Sequence, residues 1–374
     1  MKIFHIADLH LDSAFSGFDK DAADKKREEL RDCFCRALRI AKERGAALAL
    51  IPGDLFDTPF CTLATRNAVF SAIEEFGAPV VIAPGNHDYY TKNGTYCDRD
   101  LPENAYVFTS AELGRFDFDE LGLSVIGYAF TSDRYERSPL DDDIPLSNTN
   151  INILCAHGEL CTGFSKYAAI TPSQIAQAGF SYAALGHVHI APEPERLDGS
   201  LIAYSGFPQG RSFDELGYKG AMYGIIEKGN VNMQAVRLSK SRYEIATVDI
   251  SDVADKSRAI EIIRNEIRQF TDDTALRLIL TGETETPMLI SPNEIGSGCE
   301  YPFFIEITDK TYLKPNLTQL EQSNTLKGVF CRKMAELIAQ APPDTEEYRV
   351  LTLAFKYGIS ALEDRNVIDY GGND

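Results

Sequence analysis

Through the first two thirds of the chain, short apolar runs alternate with amphipathic stretches, and several runs stop abruptly at Gly, Asp, Asn or His. Lys2 to Ala7, Ala46 to Ile51 and Ala78 to Ala83 are brief and rich in β-branched residues, which predicts buried parallel strands. Between them, residues 21–44 carry apolar side chains three and four apart (Leu30, Cys33, Phe34, Ala37, Leu38, Ala41). Residues 63–76 do the same with Val69, Phe70, Ile73 and Phe76, so both stretches predict helices. Gly45 is placed to cap the first. Residues 89–120 are polar and acidic and predict an irregular excursion.

Further on, strands are expected at Leu121 to Tyr128, Ile151 to Ala156, Tyr182 to Leu185 and Leu201 to Ser205, with an acidic loop from Asp141 to Thr149. Thr171 and Pro172 mark the start of a short helix to Ala178. Met222 to Ile226 and Val231 to Leu238 read as a hairpin turning at Lys228-Gly229-Asn230. Around Ser241 the pattern changes. Tyr243 to Ile250, residues 252–270, Ala275 to Leu280 and Tyr301 to Ile307 predict a small α/β cap. Pro315 to Ser323 reads as a linker. Two amphipathic helices follow, divided by Pro342-Pro343. Leu326, Val329, Phe330, Met334, Leu337 and Ile338 line the first; Tyr348, Leu351, Phe355 and Leu362 line the second. The expected class is α/β (α+β), with domains at 1–242 and 243–315 and a helical segment at 325–374.

Composition narrows this. The 374 residues are enough for two or three domains, and 44% apolar with 25% charged is ordinary for a globular protein. No apolar run approaches the roughly 18 residues of a membrane span. The N-terminus runs straight into a strand, so no signal peptide is expected, and eight scattered cysteines without a CxxC pair suit a reduced, cytoplasmic protein. The net charge of −19 argues against this chain wrapping nucleic acid alone, although bound metal or a partner could supply positive charge. The basic positions of 21–44 are mixed with acids and read first as a solvated face.

The candidate chemistry lies at the strand ends. Of six histidines, five (His10, His87, His157, His187, His189) fall there beside Gly, Asp or Asn, where open α/β sheets bind ligands. His5 lies inside the first strand and reads as a satisfied core residue. In extended backbone, residues i and i+2 point the same way, so Asp8 with His10, and His187 with His189, can each reach one ion. Seven groups, Asp8, His10, Asp54, Asn86, His157, His187 and His189, serve two ions if Asp54 bridges. Asp8, His10, Asp54 and His189 hold one; Asp54, Asn86, His157 and His187 hold the other. A nitrogen and oxygen set without thiolate suits Mn²⁺, Fe²⁺ or Zn²⁺ better than Ca²⁺ or a Cys-type zinc site. Cys155 alternates into the sheet and stays outside. Two divalent ions, two aspartates and a bridging hydroxide leave a formal charge of about +1, matched to a phosphodiester under in-line attack. His87 is left free of metal to assist the leaving oxygen, with Asp88 holding its tautomer.

The order DxH, GD, GNHD, H, GHxH resembles the calcineurin-like metallophosphoesterases. His5-Ile6-Ala7-Asp8-Leu9-His10-Leu11 and Gly53-Asp54-Leu55-Phe56-Asp57 resemble more narrowly the SbcD-type DNA repair exonucleases, including the YhaO-like branch. Tyr204-Ser205-Gly206 through Gln209-Gly210-Arg211, then Glu215 to Gly220, resemble that branch too. The resemblance covers residues 1 to 240 and, in layout only, the rest. It implies a four-layer β-sandwich flanked by helices, two Mn²⁺-type ions, and 3′-to-5′ exonuclease and endonuclease action on DNA. It also implies a homodimer and an SMC-like, SbcC-type ATPase docking near the C-terminal helices. Arg211 and Asp57 become candidate substrate-binding residues. Leu9 stands where the family has Trp, Asp12 where it has Gly, and Asp57 where some relatives carry a second catalytic His.

Three readings follow: a DNA exonuclease subunit, a metallophosphatase or phosphodiesterase for small molecules or phosphoproteins, and a scaffold with a degenerate site. Intact donors at every motif position weigh against the third. The cap and tail favour the first, although the tail helices could equally pack within the chain.

Overall fold

The computed structural model describes residues 1–16, 20–190, 192–253, 255–284, 288–296, 302–313, 324–342 and 345–362. Strand β1 (Lys2–His5), helix α1 (Lys20–Glu43), β2 (Leu48–Ile51), α2 (Leu63–Phe76), β3 (Val80–Ile82) and β4 (Ala105–Val107) open the chain. Next come β5 (Gly114–Phe118), β6 (Leu123–Gly127), β7 (Ile151–His157), the short pair β8 (Glu159–Leu160) and β9 (Ala169–Ile170), and α3 (Pro172–Ala178). Then follow β10 (Tyr182–Gly186), β11 (Glu195–Leu197), β12 (Ser200–Tyr204), β13 (Gly220–Glu227) and β14 (Asn230–Arg237). The two main sheets run β14-β13-β1-β2-β3-β4 and β11-β12-β10-β7-β6-β5. Strands β1 to β4 are parallel, as are β6, β7, β10 and β12.

Side-chain alternation assigns each strand two faces. Ile3, Leu48, Leu50 and Val81 share a buried cluster with Val125, Ile153, Cys155, Tyr182 and Ala184, so the sheets pack face to face. Their neighbours Phe4, Ala49, Ile51 and Ile82 pack instead with Leu30, Phe34, Leu38, Val69 and Ile73 of α1 and α2. Leu154, Ala156, Ala183 and Leu185 face outward to Tyr128, Phe130, Ile175 and Phe180. The order is helix, sheet, sheet, helix: the expected four-layer sandwich. Helix ends follow the local signals. Thr62 caps α2 and accepts from Thr65 N; Thr171 and Gln174 form a capping box on α3.

The excursion at 89–120 differs from expectation, because β4 and β5 lie within it and lengthen both sheets. Gly114–Phe118 alternates in burial, but its polar members hid the period. His5 is indeed a satisfied core residue: its Nε2 is 3.1 Å from Leu185 O and its Nδ1 2.8 Å from Tyr182 Oη. Burial holds its pKa down at about 3.

Strand β15 (Arg242–Asp249), helix α4 (Lys256–Ile267), β16 (Thr274–Thr281), β17 (Glu283–Thr284), helix α5 (Pro292–Gly296), β18 (Phe304–Asp309) and β19 (Tyr312–Leu313) follow, with a three-stranded sheet β15-β16-β18. The chain divides into two compact units. One comprises Met1–Ala246, Gln269–Arg277 and Glu300–Glu306; the other comprises Thr247–Arg268, Leu278–Cys299 and Ile307–Asp374. In the second unit Asp255 caps α4, which buries Ala259, Ile263 and Ile267. Helices Leu326–Gln340 and Glu346–Leu362 pack on each other, with Phe330 and Phe355 stacked at 6.1 Å. The first of them buries Gly328, Cys331 and Met334, with Phe330 and Ile338 half-buried, and leaves Leu326, Val329 and Leu337 exposed, so the expected stripe holds for half of its residues. The expected linker Pro315 to Ser323 and Cys299 lie outside the described residues; Cys33, Cys35, Cys61, Cys97, Cys155 and Cys161 are free thiols. No helix among the described residues is long and apolar enough to cross a membrane.

Candidate metal centre

The loops that leave β1, β2, β3, β7 and β10 carry the seven predicted donors. The first two are zipped together: Asp8 N–H donates to Gly53 O, His10 N–H to Asp54 O, Leu11 N–H to Leu55 O, and Asp57 N–H to Leu11 O. This geometry requires left-handed backbone at side-chain-bearing residues. Asp8 (φ 55°), His10 (φ 46°), Asp54 (φ 51°) and His187 (φ 106°) all have positive φ. Each costs roughly 1–2 kcal/mol. Asp8 and His10 therefore do not share an extended stretch as expected; a tight turn brings them to one place. Gly53 and Gly85 allow the close approach: a Cβ at Gly53 would overlap the His157 ring, and one at Gly85 would overlap Asp54 Oδ1.

Asp54 is the hub. Its Oδ2 lies 3.6 Å from His10 Nε2 and 3.4 Å from His157 Nε2, and its Oδ1 accepts from His87 N–H at 3.0 Å. His10 Nε2 is 3.1 Å from His189 Nε2, and His157 Nε2 is 2.9 Å from Asn86 Oδ1. Three overlapping groups of donors converge: Asp8, His10 and His189; His10, Asp54 and His87; Asp8, Asp54 and His157. His187 sits at the margin. Its N–H donates to Asp8 Oδ1 at 2.9 Å, and its ring lies against His157 and Tyr167.

The far nitrogen of each central imidazole is held from behind. His10 Nδ1 is 3.2 Å from Asp57 Oδ1, His157 Nδ1 is 3.0 Å from Pro52 O, and His189 Nδ1 is 2.9 Å from Glu215 Oε1. With Nδ1–H donated, each Nε2 presents a lone pair to the cluster, the arrangement metal-binding histidines adopt. Neither Glu215 nor Pro52 carried any local sign of this role.

One expected role changes. Asp88 does not hold His87. Its buried carboxylate accepts the N–H groups of Asp54 (3.1 Å), Leu55 (2.8 Å), Phe56 (3.2 Å) and Gly85 (2.7 Å), plus the Tyr96 hydroxyl. It ties the second loop to the third. The group beside His87 is Asp57, whose carbonyl lies 3.4 Å and whose carboxylate lies 4.0 Å from His87 Nδ1. His87 is half exposed, edge-on to His10 at 4.6 Å. Asp57 and Arg211, the expected substrate contacts, lie beside the histidines: Asp57 on His10, Arg211 on Glu215 and within 3.3 Å of His189 Nδ1.

The electrostatics call for cations. Burial, and then Asp54, push the Asp8 carboxyl well above its ordinary range. Burial alone would raise Asp54 too, but His157, His10 and His87 outweigh it and hold Asp54 low. Burial keeps His10 down, and burial with His157 brings His187 to about 4. Two buried carboxylates facing converging imidazole nitrogens fit divalent metal ions of the nitrogen- and oxygen-binding kind.

A family model described as Calcineurin-like phosphoesterase matches residues 1–191. The chain belongs to the calcineurin-like phosphoesterase family. Family and donor set together make this calcineurin-like protein a phosphoester hydrolase dependent on divalent metal. It is 26% identical over 314 residues to the uncharacterized metallophosphoesterase YhaO of Bacillus subtilis, covering 78% of this chain and 74% of that protein. It is 27% identical over 290 residues to the DNA double-strand break repair protein Mre11 of Thermoplasma acidophilum, covering 70% and 73%. A dimetal phosphatase from Danio rerio superposes with a TM-score of 0.41 at 10% identity, over 63% of this chain and 96% of that one.

Proposed function

We propose that this protein is a two-metal phosphodiesterase acting on DNA, the nuclease subunit of an SbcCD- or Mre11-like repair complex with 3′-to-5′ exonuclease and endonuclease action. The observation that carries the metal reading is the outward anchoring of three imidazoles: the Nε2 atoms of His10 and His157 converge on Asp54, and that of His189 meets His10 Nε2. Asp8, His10, Asp54 and His189 would hold one ion, and Asp54, Asn86, His157 and His187 the other. Manganese is the ion assigned, ahead of iron or zinc. Bound divalent ions supply the positive charge that acidifies a water and neutralises a phosphodiester.

The chain's own residues do the rest. Asp54 separates the two halves of the centre and fixes the His87 backbone. His87 Nδ1 faces Asp57 O, so its Nε2 is the atom free to reach the leaving oxygen and give it a proton. Asp88 keeps the loops registered. DNA as substrate is supported by the Mre11 relatives, named for double-strand break repair, whose likeness covers 70–76% of this chain and so runs past the catalytic family model. We assign 1–242 as the nuclease domain, 243–315 as a cap and 325–374 as the docking segment for an SMC-like ATPase, in a cytoplasmic homodimer. The net charge of −19 favours the second reading, a phosphodiesterase for small molecules, unless a partner supplies the basic DNA-binding surface.

The test is Mn²⁺-dependent cleavage of linear DNA, alone and with the ATPase, beside hydrolysis of a small aryl phosphodiester. DNA degradation that His87→Ala abolishes is the expected result. Turnover of the small ester with intact DNA would assign the second reading, and an unchanged His87→Ala would remove its role.

A further inference from the structure

We infer that Arg211 is a positioning residue that sets the orientation, and hence the metal affinity, of His10 and His189 together, rather than a contact for substrate. This rests on the two-ion reading above.

The side chains form a closed circuit. His10 Nδ1 meets Asp57 Oδ1 at 3.2 Å, and the same oxygen accepts from Ser13 Oγ at 3.2 Å and lies 4.0 Å from Arg211 Nη1. Arg211 Nη1 is also 3.4 Å from Ser13 Oγ. On its other side Arg211 grips Glu215 through Nε at 3.1 Å, Nη2 at 2.5 Å and its own backbone N–H at 2.9 Å. Glu215 Oε1 then meets His189 Nδ1 at 2.9 Å. The circuit closes inside the centre, where the two Nε2 atoms are 3.1 Å apart. One guanidinium thus stands between the two carboxylates that hold the two imidazoles.

The charges explain why a cation belongs there. Glu215 is buried and meets both His189 Nδ1 and the Arg211 guanidinium. Two carboxylates behind adjacent imidazoles repel each other unless a positive group lies between them. The planar guanidinium fork also fixes the rotation of Glu215 in a way that a single ammonium cannot. The other half of the centre has no such dependence. His157 is fully buried and held by the neutral Pro52 carbonyl, with Asn86 on its Nε2. The two ions therefore differ: one relies on Arg211 and the other does not.

The experiment measures metal, not turnover alone. Wild type, Arg211→Gln, Glu215→Gln and Arg211→Lys are stripped with chelator, checked for folding by circular dichroism, and titrated with Mn²⁺ by calorimetry and equilibrium dialysis with elemental analysis. Wild type is expected to bind two ions. In Arg211→Gln and Glu215→Gln one site should keep its affinity and the other weaken about 10–100-fold. Arg211→Lys should recover part of the loss. Excess Mn²⁺ should restore kcat for a small phosphodiester with KM unchanged. If Arg211→Gln does not fold, the Glu215→Gln and Arg211→Lys titrations decide alone. Two ions at wild-type affinity in the variants, with a raised KM, would overturn the inference and return Arg211 to the substrate. A wild type that binds no Mn²⁺ would instead overturn the two-ion reading on which it rests.

Discussion

The interiors of the two sheets and their carboxyl edge are built from the same strands, yet they obey opposite rules. In the interior, Ile3 and Phe4, or Leu48 and Ala49, alternate between two apolar clusters in relaxed strand geometry. Three residues past β1 the chain buries Asp8 and His10 instead, both in left-handed backbone, and the loop after β2 does the same with Asp54. The interior follows the ordinary logic of hydrophobic burial. The edge spends several kcal/mol on strain and buried charge and holds only because the strands beneath and the zipped loops over-determine it. Activity resides where the local rules are broken, and stability resides where they are kept.

Substitutions can separate the two regions. The largest effect is expected for Asp8→Asn. It should reduce Mn²⁺-dependent phosphodiester hydrolysis to background, yet in chelator the variant should melt no lower than wild type. Burial and Asp54 disfavour the Asp8 charge, and an amide oxygen can still accept from His187 N–H. A much lower melting temperature in chelator would show that the edge stabilises the fold after all. Phe34→Ala in the interior should do the reverse, costing about 3–5 kcal/mol in denaturant unfolding while kcat per folded molecule stays within twofold or so. Asp88→Ala tests the one residue that belongs to both regions. It leaves four buried N–H donors unpaired and should cost about 3 kcal/mol or more while also lowering hydrolysis.

The smallest effect is a matter of pH. His5 is held at about 3 in the fold against 6.5 in the unfolded chain, so the unfolded chain takes the proton first as pH falls. Between pH 7 and pH 5 stability should drop by about 2 kcal/mol. His5→Gln should remove that part of the slope in urea titrations at pH 7, 6 and 5. Parallel slopes for the two proteins would mean that His5 is protonated in the folded state.

Much of this was readable in advance because it is local. Leu30, Phe34 and Leu38 announce a helix by spacing, Thr171-Pro172 announces a helix start, and five histidines beside Gly, Asp or Asn announce a site at strand ends. The elements read less well were short or polar. Strands β4 and β5 were lost in an acidic stretch, and the buried side of Leu326–Gln340 includes the small residues Gly328 and Cys331 beside the expected Met334.

By itself the sequence determined most of the strands and helices and the candidate donors at strand ends, since periodicity and turn chemistry act over a few residues, while the four layers were implied only by the family resemblance. Only the tertiary structure decided which nitrogen His10, His157 and His189 turn inward, that Asp88 binds loops rather than His87, and that Arg211 stands between Asp57 and Glu215. Those choices depend on hydrogen-bond partners such as Asp57 for His10, 47 residues away, and Pro52 for His157, 105 away. A partner so distant leaves no period in the chain. It exists only once the strands have brought their ends together.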